Sequence, residues 1–483
     1  RYGYVPAPWS IYTGLYKLPP GCTLTVTAPA PPAGFLPGAD SAPGAPRRYW
    51  SVAEAAQRGM AEPLRDPAAA VTALDELLRR TVARQSVADV PVGAFLSGGI
   101  DSSAVVAVMQ ALAGRPVNTF TIGYDEQMFD ESRFAAAIAQ HLGTDHQALV
   151  IGPADTLAVV PELATIYDEP FADASQIPTL LISRLARQKV TVCLSGDGGD
   201  ELFAGYNRYI ATDRLWRRLG VLPRPLRTTA GALLGGVPPA VWDGAYHQLL
   251  GRWRDPRSRQ RNLGLKAQKF AALLQRESLA DAYRGLLSFW DAPRRLTVAG
   301  EELPDALDEP PPESVAAFMD RAMFWDQIGY LPGDNLAKVD RASMAVSLET
   351  RLPLLSHELV EFAWRVPLAL KVRDGRSKWL LRQVLYRYVP REMIERPKMG
   401  FSVPVTDWLR GPLKEWGEEL LDPARLRDEG FFDPQAVTAV WRAHQSGGAD
   451  HGNGLWTLLM FQAWRAAWQP PAARVTADSA SPG

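Results

Sequence analysis

The chain has 483 residues, of which 47% are hydrophobic and 22% are charged, as is usual for globular domains with a full core. Lysine and arginine number 52 against 53 acidic residues, and a net charge of −1 argues against a nucleic-acid-binding surface. No apolar run of about 18 residues is present, so no membrane-spanning helix is predicted. The two cysteines, Cys22 and Cys193, form no C-x-x-C pair, so zinc, iron–sulfur and disulfide sites are not expected. This cysteine content predicts a cytoplasmic location.

The two ends of the chain differ in composition from the rest. Residues 1–49 are rich in proline, glycine and tyrosine, and 29–46 is predicted to be a linker or a long loop. The last stretch, 469–483, is small, polar and proline-containing, and we expect it to be disordered.

Strand-like and helix-like segments alternate between residues 50 and 195. After a helical pattern over 50–86, the predicted strands are 90–96, 117–123, 146–151 and 190–195, and the predicted helices are 102–112, 131–142, 155–167 and 179–187. This order predicts an α/β fold with a doubly wound parallel sheet, whose ligands bind beyond the carboxyl ends of the strands. Further helices are predicted over 210–290 and 314–464.

A glycine turn follows the first predicted strand and leads into a helix. It reads Ser97-Gly-Gly-Ile-Asp101-Ser102-Ser103. Adjacent glycines and a helix N-terminus present bare N–H groups to an anion, and the embedded Asp101 suits a bound Mg²⁺. No lysine follows the glycines, so this is not the G-x-x-x-x-G-K-S/T loop of common ATPases. The alternative is a tight turn in which Asp and Ser cap the helix.

A second glycine loop, Ser195-Gly-Asp-Gly-Gly-Asp200-Glu201, follows the fourth predicted strand. Loops at the carboxyl ends of neighbouring parallel strands face one crevice, so we expect one loop to hold pyrophosphate while the other offers carboxylates. Asp101 and Asp200 together form a candidate Mg²⁺ site, because Mg²⁺ takes one or two carboxylates plus phosphate oxygens. The alternative is an acidic turn with a capping aspartate and a solvated glutamate.

Further motifs follow in order along the chain. They are Tyr167-Asp-Glu-Pro-Phe-Ala-Asp-Ala-Ser175, Tyr330-Leu-Pro-Gly-Asp-Asn-Leu-Ala-Lys-Val-Asp340, Ser347-Leu-Glu-Thr-Arg351, Ser377-Lys378-Trp-Leu-Leu-Arg382 and Arg396-Pro-Lys-Met-Gly-Phe-Ser-Val-Pro404. With the two loops, this set resembles the synthetase domain of class B asparagine synthetases, a pyrophosphate-loop fold of the adenine nucleotide alpha hydrolase type. The resemblance runs from residue 1 to about residue 468. Related lactam-forming and peptide-cyclising enzymes share this scaffold.

The resemblance implies a two-step reaction driven by ATP. A carboxylate, in asparagine synthetase the β-carboxylate of aspartate, attacks the α-phosphorus and expels pyrophosphate. Ammonia, free or derived from glutamine, then attacks the acyl-adenylate and releases the amide and AMP. The residues implied to bind nucleotide are Leu96, Ser97, Gly98, Gly99, Asp101, Ser102, Ser103, Ile122, Ser195, Gly196 and Lys378, and the implied metal ligands are Asp101 and Asp200. For Lys378, a surface position on a helix is the alternative.

Three residues are implied to take part in the chemistry itself. Lys398 resembles the family lysine that stabilises charge on the α-phosphate and the departing pyrophosphate, and its alternative is a solvated loop lysine. Glu349 and Asp197 are the candidates for taking a proton from the attacking nitrogen. A carboxylate at Glu349 held near Arg351 also fits a purely structural role. Asp197 stands where several asparagine synthetases carry glutamate.

The start of the chain, residues 1–27, resembles the closing strands of the family's glutaminase domain. We therefore expect 1–49 to be the C-terminal remnant of that domain plus a linker, 50–468 to be the ATP-pyrophosphatase and amide synthetase domain, and 469–483 to be a tail. The family's catalytic N-terminal cysteine is missing, and Cys22 is expected to be a structural thiol. Either the chain is a fragment of a larger amidotransferase or it uses free ammonia.

Other functions stay open at this point. The scaffold also suits an amidotransferase or cyclase acting on a different carboxylate in cell-envelope or natural-product biosynthesis, or a silent domain that binds nucleotide or a partner. Intact Asp101, Asp200, Glu349 and Lys398 argue against a silent domain, and the neutral charge argues against a transfer-RNA-modifying enzyme. The expected partners are ATP, Mg²⁺, aspartate or another small carboxylic acid, and a nitrogen source. A homodimer is compatible with the sequence.

Overall fold

The computed structural model describes residues 1–26, 45–124, 132–219, 223–237, 241–242, 263–290, 292–395 and 403–468. Two short strands, β1 (Cys22–Thr23) and β2 (Arg47–Arg48), pair antiparallel. The central sheet has five parallel strands, β3 (Val92–Phe95), β4 (Asn118–Tyr124), β5 (Asp145–Ile151), β6 (Val192–Leu194) and β7 (Glu349–Arg351), in the order β5-β4-β3-β6-β7.

Helices build most of the remaining described chain. Up to β6, the α-helices are Val52–Ala61, Pro67–Gln85, Ile100–Leu112, Ser132–Leu142, Pro153–Ala158, Val160–Ile166 and Gln176–Arg187. Between β6 and β7 they are Gly199–Leu202, Asn207–Leu219, Arg224–Gly235, Leu263–Gln275, Leu279–Leu287, Phe318–Trp325 and Ala337–Met344, with a π-helix at Asp326–Leu336. After β7 they are His357–Arg365, Leu368–Lys371, Trp379–Leu385, Arg391–Ile394, Val405–Arg410, Lys414–Leu420, Pro423–Glu429, Pro434–Gln445 and Gly452–Trp468. Short 3₁₀ turns lie at Pro293–Arg295, Ala306–Asp308 and Pro353–Leu355.

Both faces of the sheet are buried. In β6, Val192 and Leu194 join one hydrophobic cluster, while Cys193 between them joins the other. Successive side chains of a strand point to opposite faces, so the two clusters lie on opposite sides of the sheet. A parallel sheet buried on both faces explains why its strands read as continuous apolar runs rather than as alternating ones. The predicted doubly wound α/β fold is confirmed.

The predicted elements differ from the observed ones in two instructive places. The predicted helix over 155–167 is two helices, Pro153–Ala158 and Val160–Ile166, because Pro161 starts a new helical turn. Strand β7 was not predicted: its three residues carry two charged side chains and show no apolar run. The predicted linker at 29–46 lies almost wholly, and the predicted tail at 469–483 entirely, outside the described residues.

The first residues of the chain pack on the body that carries the sheet. The carbonyl oxygen of Gly3 accepts a hydrogen bond from the N–H of Ala172 at 2.7 Å, and that of Arg1 accepts one from Phe289 at 2.8 Å. The division into a segment 1–49 and a domain 50–468 stays a prediction. Across the described ranges, no helix combines the length and apolar character needed to cross a bilayer.

A buried lysine lies in the core beside the sheet. Lys371 is 1% exposed, and its Nζ lies 3.9 Å from Sδ of Met323 and 5.2 Å from the centre of the Trp364 ring. Burial lowers the pKa of Lys371 to about 8, although the nearby Asp320 carboxylate acts in the opposite direction. Folding therefore destabilises the protonated amine of Lys371 relative to the unfolded chain.

We expect Lys371→Met to remove a pH dependence of stability. The amine titrates near 10.5 in the unfolded chain and near 8 in the folded one. Between these values the unfolded state binds more protons, so this group makes the wild-type free energy of unfolding rise with pH by about 3 kcal/mol in total. Urea unfolding at about pH 7 and about pH 10 should show most of this rise in the wild type only. Lys189→Met, at an exposed amine paired with Asp145, is the control. Parallel pH profiles for wild type and Lys371→Met would contradict the prediction.

Candidate active site

The two glycine loops lie side by side because β3 and β6 are neighbours in the sheet. Their backbones approach so closely that a Cβ on Gly196 would lie 2.5 Å from the backbone nitrogen of Ser102. Within the first loop, the Oγ atoms of Ser97 and Ser102 are 3.0 Å apart. Gly98 has a φ of +71°, a left-handed conformation that favours glycine. The predicted adjacency of the two loops is confirmed.

A cavity of about 720 Å³ opens over the carboxyl ends of these strands, a volume that suits a ligand of nucleotide size. Most residues that the sequence pattern assigns to nucleotide binding line it: Ser97, Gly98, Gly99, Asp101, Ser102, Ile122, Ser195, Gly196 and Lys378. Asp197 and Asp200 line it as well, and the Oγ of Ser195 donates a 2.6 Å hydrogen bond to Oδ2 of Asp197.

Lys378 joins the two loops from a distant part of the chain. Its Nζ forms an ion pair with Oδ2 of Asp101 and lies 2.7 Å from Oδ1 of Asp200, and its side chain is only 4% exposed. Burial opposes its charge, but the two carboxylates outweigh burial and raise the pKa of Lys378 above its ordinary value. The backbone of Lys378 is left-handed, with a φ of 56°, which costs a non-glycine residue about 1 kcal/mol or more. The surface alternative for Lys378 is therefore excluded.

The donor set at this point fits Mg²⁺. Asp101 and Asp200 place carboxylate oxygens around one buried cationic group, beside two loops whose N–H groups suit phosphate. In the described part of the chain, no group of three or more His, Cys, Asp or Glu side chains forms a metal site. A metal ion here would thus depend on oxygens of the bound phosphates and on water to complete its coordination.

Two predicted nucleotide-binding residues face the core instead. Leu96 and Ser103 are fully buried and do not line the cavity. Leu96 directly follows β3, and its side chain lies in a hydrophobic cluster. Ser103 lies two residues after Asp101 on one helix, and two helical residues span about 200° of rotation, so its side chain points away from the cavity. The side chains of Leu96 and Ser103 therefore do not face the cavity, and the assignment of the two residues to nucleotide binding stays a prediction.

Glu349 is also misplaced by the sequence pattern. It begins β7 at the amino edge of the sheet, opposite to the edge that carries the glycine loops, and its backbone N–H donates to the carbonyl oxygen of Thr191. Its side chain is 56% exposed and pairs with Nε of Arg351 at 2.7 Å. The structure therefore corrects the catalytic prediction for Glu349 in favour of the structural alternative. Lys398 lies outside the described residues.

The structure adds a buried carboxylate, Glu201, to which the sequence pattern assigned no role and which only the alternative interpretation of the loop described, as solvated. Glu201 is 1% exposed and lines the cavity, and its Oε1 accepts hydrogen bonds from Tyr206 at 2.8 Å and from Asn335 at 2.9 Å. Burial, assisted by the charge of Asp200, raises the pKa of Glu201 to about 7. The short helix Gly199–Leu202 turns its side chain inward, which the acidic character of the loop did not reveal.

A buried ion pair completes the cavity wall. Nζ of Lys338 lies 2.7 Å from Oδ2 of Asp173 and 3.3 Å from Oδ1 of Asn335. Lys338 and Asp173 belong to motifs found in the sequence, but their spacing did not indicate that they meet. A second cavity, of about 710 Å³, lies between the first residues of the chain and the π-helix, and it shares Tyr330 and Val339 with the first.

Comparison with known proteins agrees with this geometry. The family model described as asparagine synthase matches residues 73–466. A Mycobacterium tuberculosis protein provisionally named a glutamine-hydrolysing asparagine synthetase is 33% identical over 467 residues, 96% of this chain and 66% of the relative. Asparagine synthetase (glutamine-hydrolysing) 1 of Bacillus subtilis is 30% identical over 376 residues, 78% of this chain and 56% of the relative. The Penicillium rubens protein named amidase chyE is 27% identical over 394 residues, 72% of this chain and 55% of the relative.

The chain spans 66% of the length of the mycobacterial relative and less of the other two. The family match itself covers most of the chain and includes both glycine loops and the Lys378 motif. Because this match covers most of the chain, and because the two glycine loops lie together as the motifs predict, the chain belongs to the asparagine synthase family.

Proposed function

We propose that this protein is an ATP-dependent amide-forming ligase that converts aspartate to asparagine through β-aspartyl-AMP, with release of AMP and pyrophosphate. The observation that carries the proposal is the convergence of Asp101, Asp200 and Lys378 beside the two glycine loops. Adenylation of an acid needs carboxylates that hold a metal ion and a cation that neutralises phosphate charge. The family and the names of its members support the amide-forming class.

In this proposal, the N–H groups of both loops bind the phosphates, and Asp101 and Asp200 would hold Mg²⁺. When bound, Mg²⁺ neutralises charge on the departing pyrophosphate. Lys378 adds a fixed positive charge at the same wall, and Lys398 is proposed, from its motif, to stabilise charge on the α-phosphate. Asp197 is the proposed acceptor of the proton that the attacking ammonia loses, because it lines the cavity and Ser195 orients its carboxylate.

The second cavity supports a route for nitrogen. It shares Tyr330 and Val339 with the first, and we propose that ammonia, whether free or released from glutamine, reaches the first cavity from this side rather than from the side of the glycine loops. We also propose a cytoplasmic location, which the nucleotide substrate and the free thiols of Cys22 and Cys193 support.

One assay tests the proposal. The protein is incubated with ATP, Mg²⁺, aspartate and ammonium chloride, and AMP, pyrophosphate and asparagine are measured. We expect the three products in equal amounts, with none when aspartate is left out. Formation of ADP and orthophosphate would refute the proposal.

A second candidate function is amide formation on a different carboxylate, which the similarity to amidase chyE favours. This function predicts that the same assay gives AMP and pyrophosphate without asparagine, and that another acid supports activity. Those two results would show that the acceptor is not aspartate.

A further inference from the structure

An arginine at the cavity wall lies against two tyrosine rings whose planes are 79° apart. The guanidinium carbon of Arg208 lies 3.7 Å from the ring centre of Tyr206 and 4.8 Å from that of Tyr330. All three side chains line the main cavity. Stacking on aromatic faces holds a planar guanidinium in one orientation, which a flexible lysine would not keep.

The buried side of Arg208 is anchored by polar contacts. Its Nη2 lies 2.6 Å from Oδ2 of Asp326, a fully buried carboxylate, and its Nε donates to the hydroxyl of Tyr283 at 3.1 Å. The hydroxyls of Tyr283 and Tyr209 donate to the same Asp326 oxygen. Asp326 begins the π-helix Asp326–Leu336, which also carries Tyr330, and π-helical turns are frequent at functional sites.

These contacts leave one edge of the guanidinium available. They use Nε and Nη2, and Nη1 makes no hydrogen bond to any residue in the described part of the chain. Every cationic side chain that lines the cavity is paired with an acid: Lys378 with Asp101 and Asp200, Lys338 with Asp173, Arg382 with Glu395, and Arg208 itself with Asp326. Arg208 makes its pair through Nη2, so its planar fork keeps Nη1 for a further acceptor. A preorganised donor edge at a cavity wall suits a carboxylate.

We propose that Arg208 binds a second anionic group of the acceptor acid, the α-carboxylate when the acceptor is aspartate. This inference rests on the proposed function and names the acceptor class: acids with a second negative charge beside the carboxylate that is activated. Arg208 is assigned to the acceptor rather than to ATP because its guanidinium carbon lies 4.8 Å from the ring centre of Tyr330, which borders both cavities, whereas the glycine loops meet at Lys378. Arg208 would then set specificity.

The test compares aspartate with β-alanine, which lacks only the α-carboxylate. AMP formation is measured with both acids for the wild type and for Arg208→Gln. We expect the wild type to prefer aspartate, and the variant to lose about 100-fold in kcat/KM for aspartate with little change for β-alanine or in KM for ATP. Arg184→Gln, at an exposed ion pair with Glu162, is the matched control and should keep the preference.

Arg208→Lys is the second variant, used if loss of the charge beside Asp326 prevents Arg208→Gln from folding. It keeps the positive charge but not the planar fork, so a loss of preference of at least about 10-fold is expected. A preference that survives in the folded variant, or a rise in KM for ATP alone, would overturn the inference.

The wild type also separates this inference from the proposed function. If the wild type forms AMP with neither aspartate nor β-alanine, AMP formation is measured instead with a panel of acids that carry one or two anionic groups. Failure with aspartate refutes asparagine formation. Within the panel, a preference for acids with a single anionic group overturns the role of Arg208, whereas no AMP with any acid refutes ATP-dependent amide formation as a whole.

Discussion

Asp101→Asn is expected to lower AMP formation by about 1000-fold or more. The substitution keeps the size of the side chain but removes one of the two carboxylates that meet Lys378 under the glycine loops. It also removes one of the two proposed metal ligands, and an amide oxygen is a weaker ligand for Mg²⁺ than a carboxylate. Because the phosphoryl step depends on positioning and on neutralising charge, the loss should fall on turnover and on the Mg²⁺ requirement together.

The measurement is AMP formation over a range of Mg²⁺ concentrations. We expect the half-saturating Mg²⁺ concentration to rise in Asp101→Asn and in Asp200→Asn. Asp145→Asn, at an exposed ion pair with Lys189, should behave like the wild type. Wild-type turnover in Asp101→Asn would mean that the paired carboxylates do not serve the reaction.

Lys378→Met is expected to lower the free energy of unfolding by about 3–5 kcal/mol, the range measured when one partner of a buried ion pair is removed. Methionine has a similar length but no charge, so two mostly buried carboxylates, 18% and 20% exposed, would face each other without the ammonium between them. Since the pKa of Lys378 is raised above 10.5, the stabilisation is fully present below that pH and is lost only above it.

Urea unfolding of the single and double variants measures this effect. Adding Asp101→Asn to Lys378→Met should recover part of the lost stability, because it removes one of the two repelling charges. Arg184→Met, at an exposed pair with Glu162, should change stability by less than about 1 kcal/mol. Equal losses in the single and double variants would contradict the charge argument.

The glycine loops show what sequence patterns predict well. Each follows a short apolar strand and opens a helix, and both observed strands lie within two residues of their predicted bounds at either end, β3 at Val92–Phe95 and β6 at Val192–Leu194. A strand, a turn and a helix start depend on residues close together in the chain, so they are visible in sequence. Strand β7 was missed because its pattern is polar and its place in the sheet comes from pairing with β6.

The acidic residues show where sequence patterns fail. Glu349 and Glu201 are both glutamates in family motifs, yet the first is exposed at the amino edge of the sheet and the second is buried in the cavity wall. The residues that flank each glutamate in the sequence do not indicate which of the two is buried. Their environments depend on strand direction and on Tyr206 and Asn335, which reach Glu201 from different segments.

The amino-acid sequence alone determined the α/β class, the two adjacent glycine loops and the family. Their information is local, because glycine conformations, strand runs and helix starts depend on neighbouring residues. Only the tertiary structure decided which charges meet: Lys378 reaches Asp101 across 277 residues, and Arg208 reaches Asp326 across 118. Packing brings these distant segments together, and each buried charge then needs an opposite charge to offset the cost of losing water. No spacing within one motif encodes that packing.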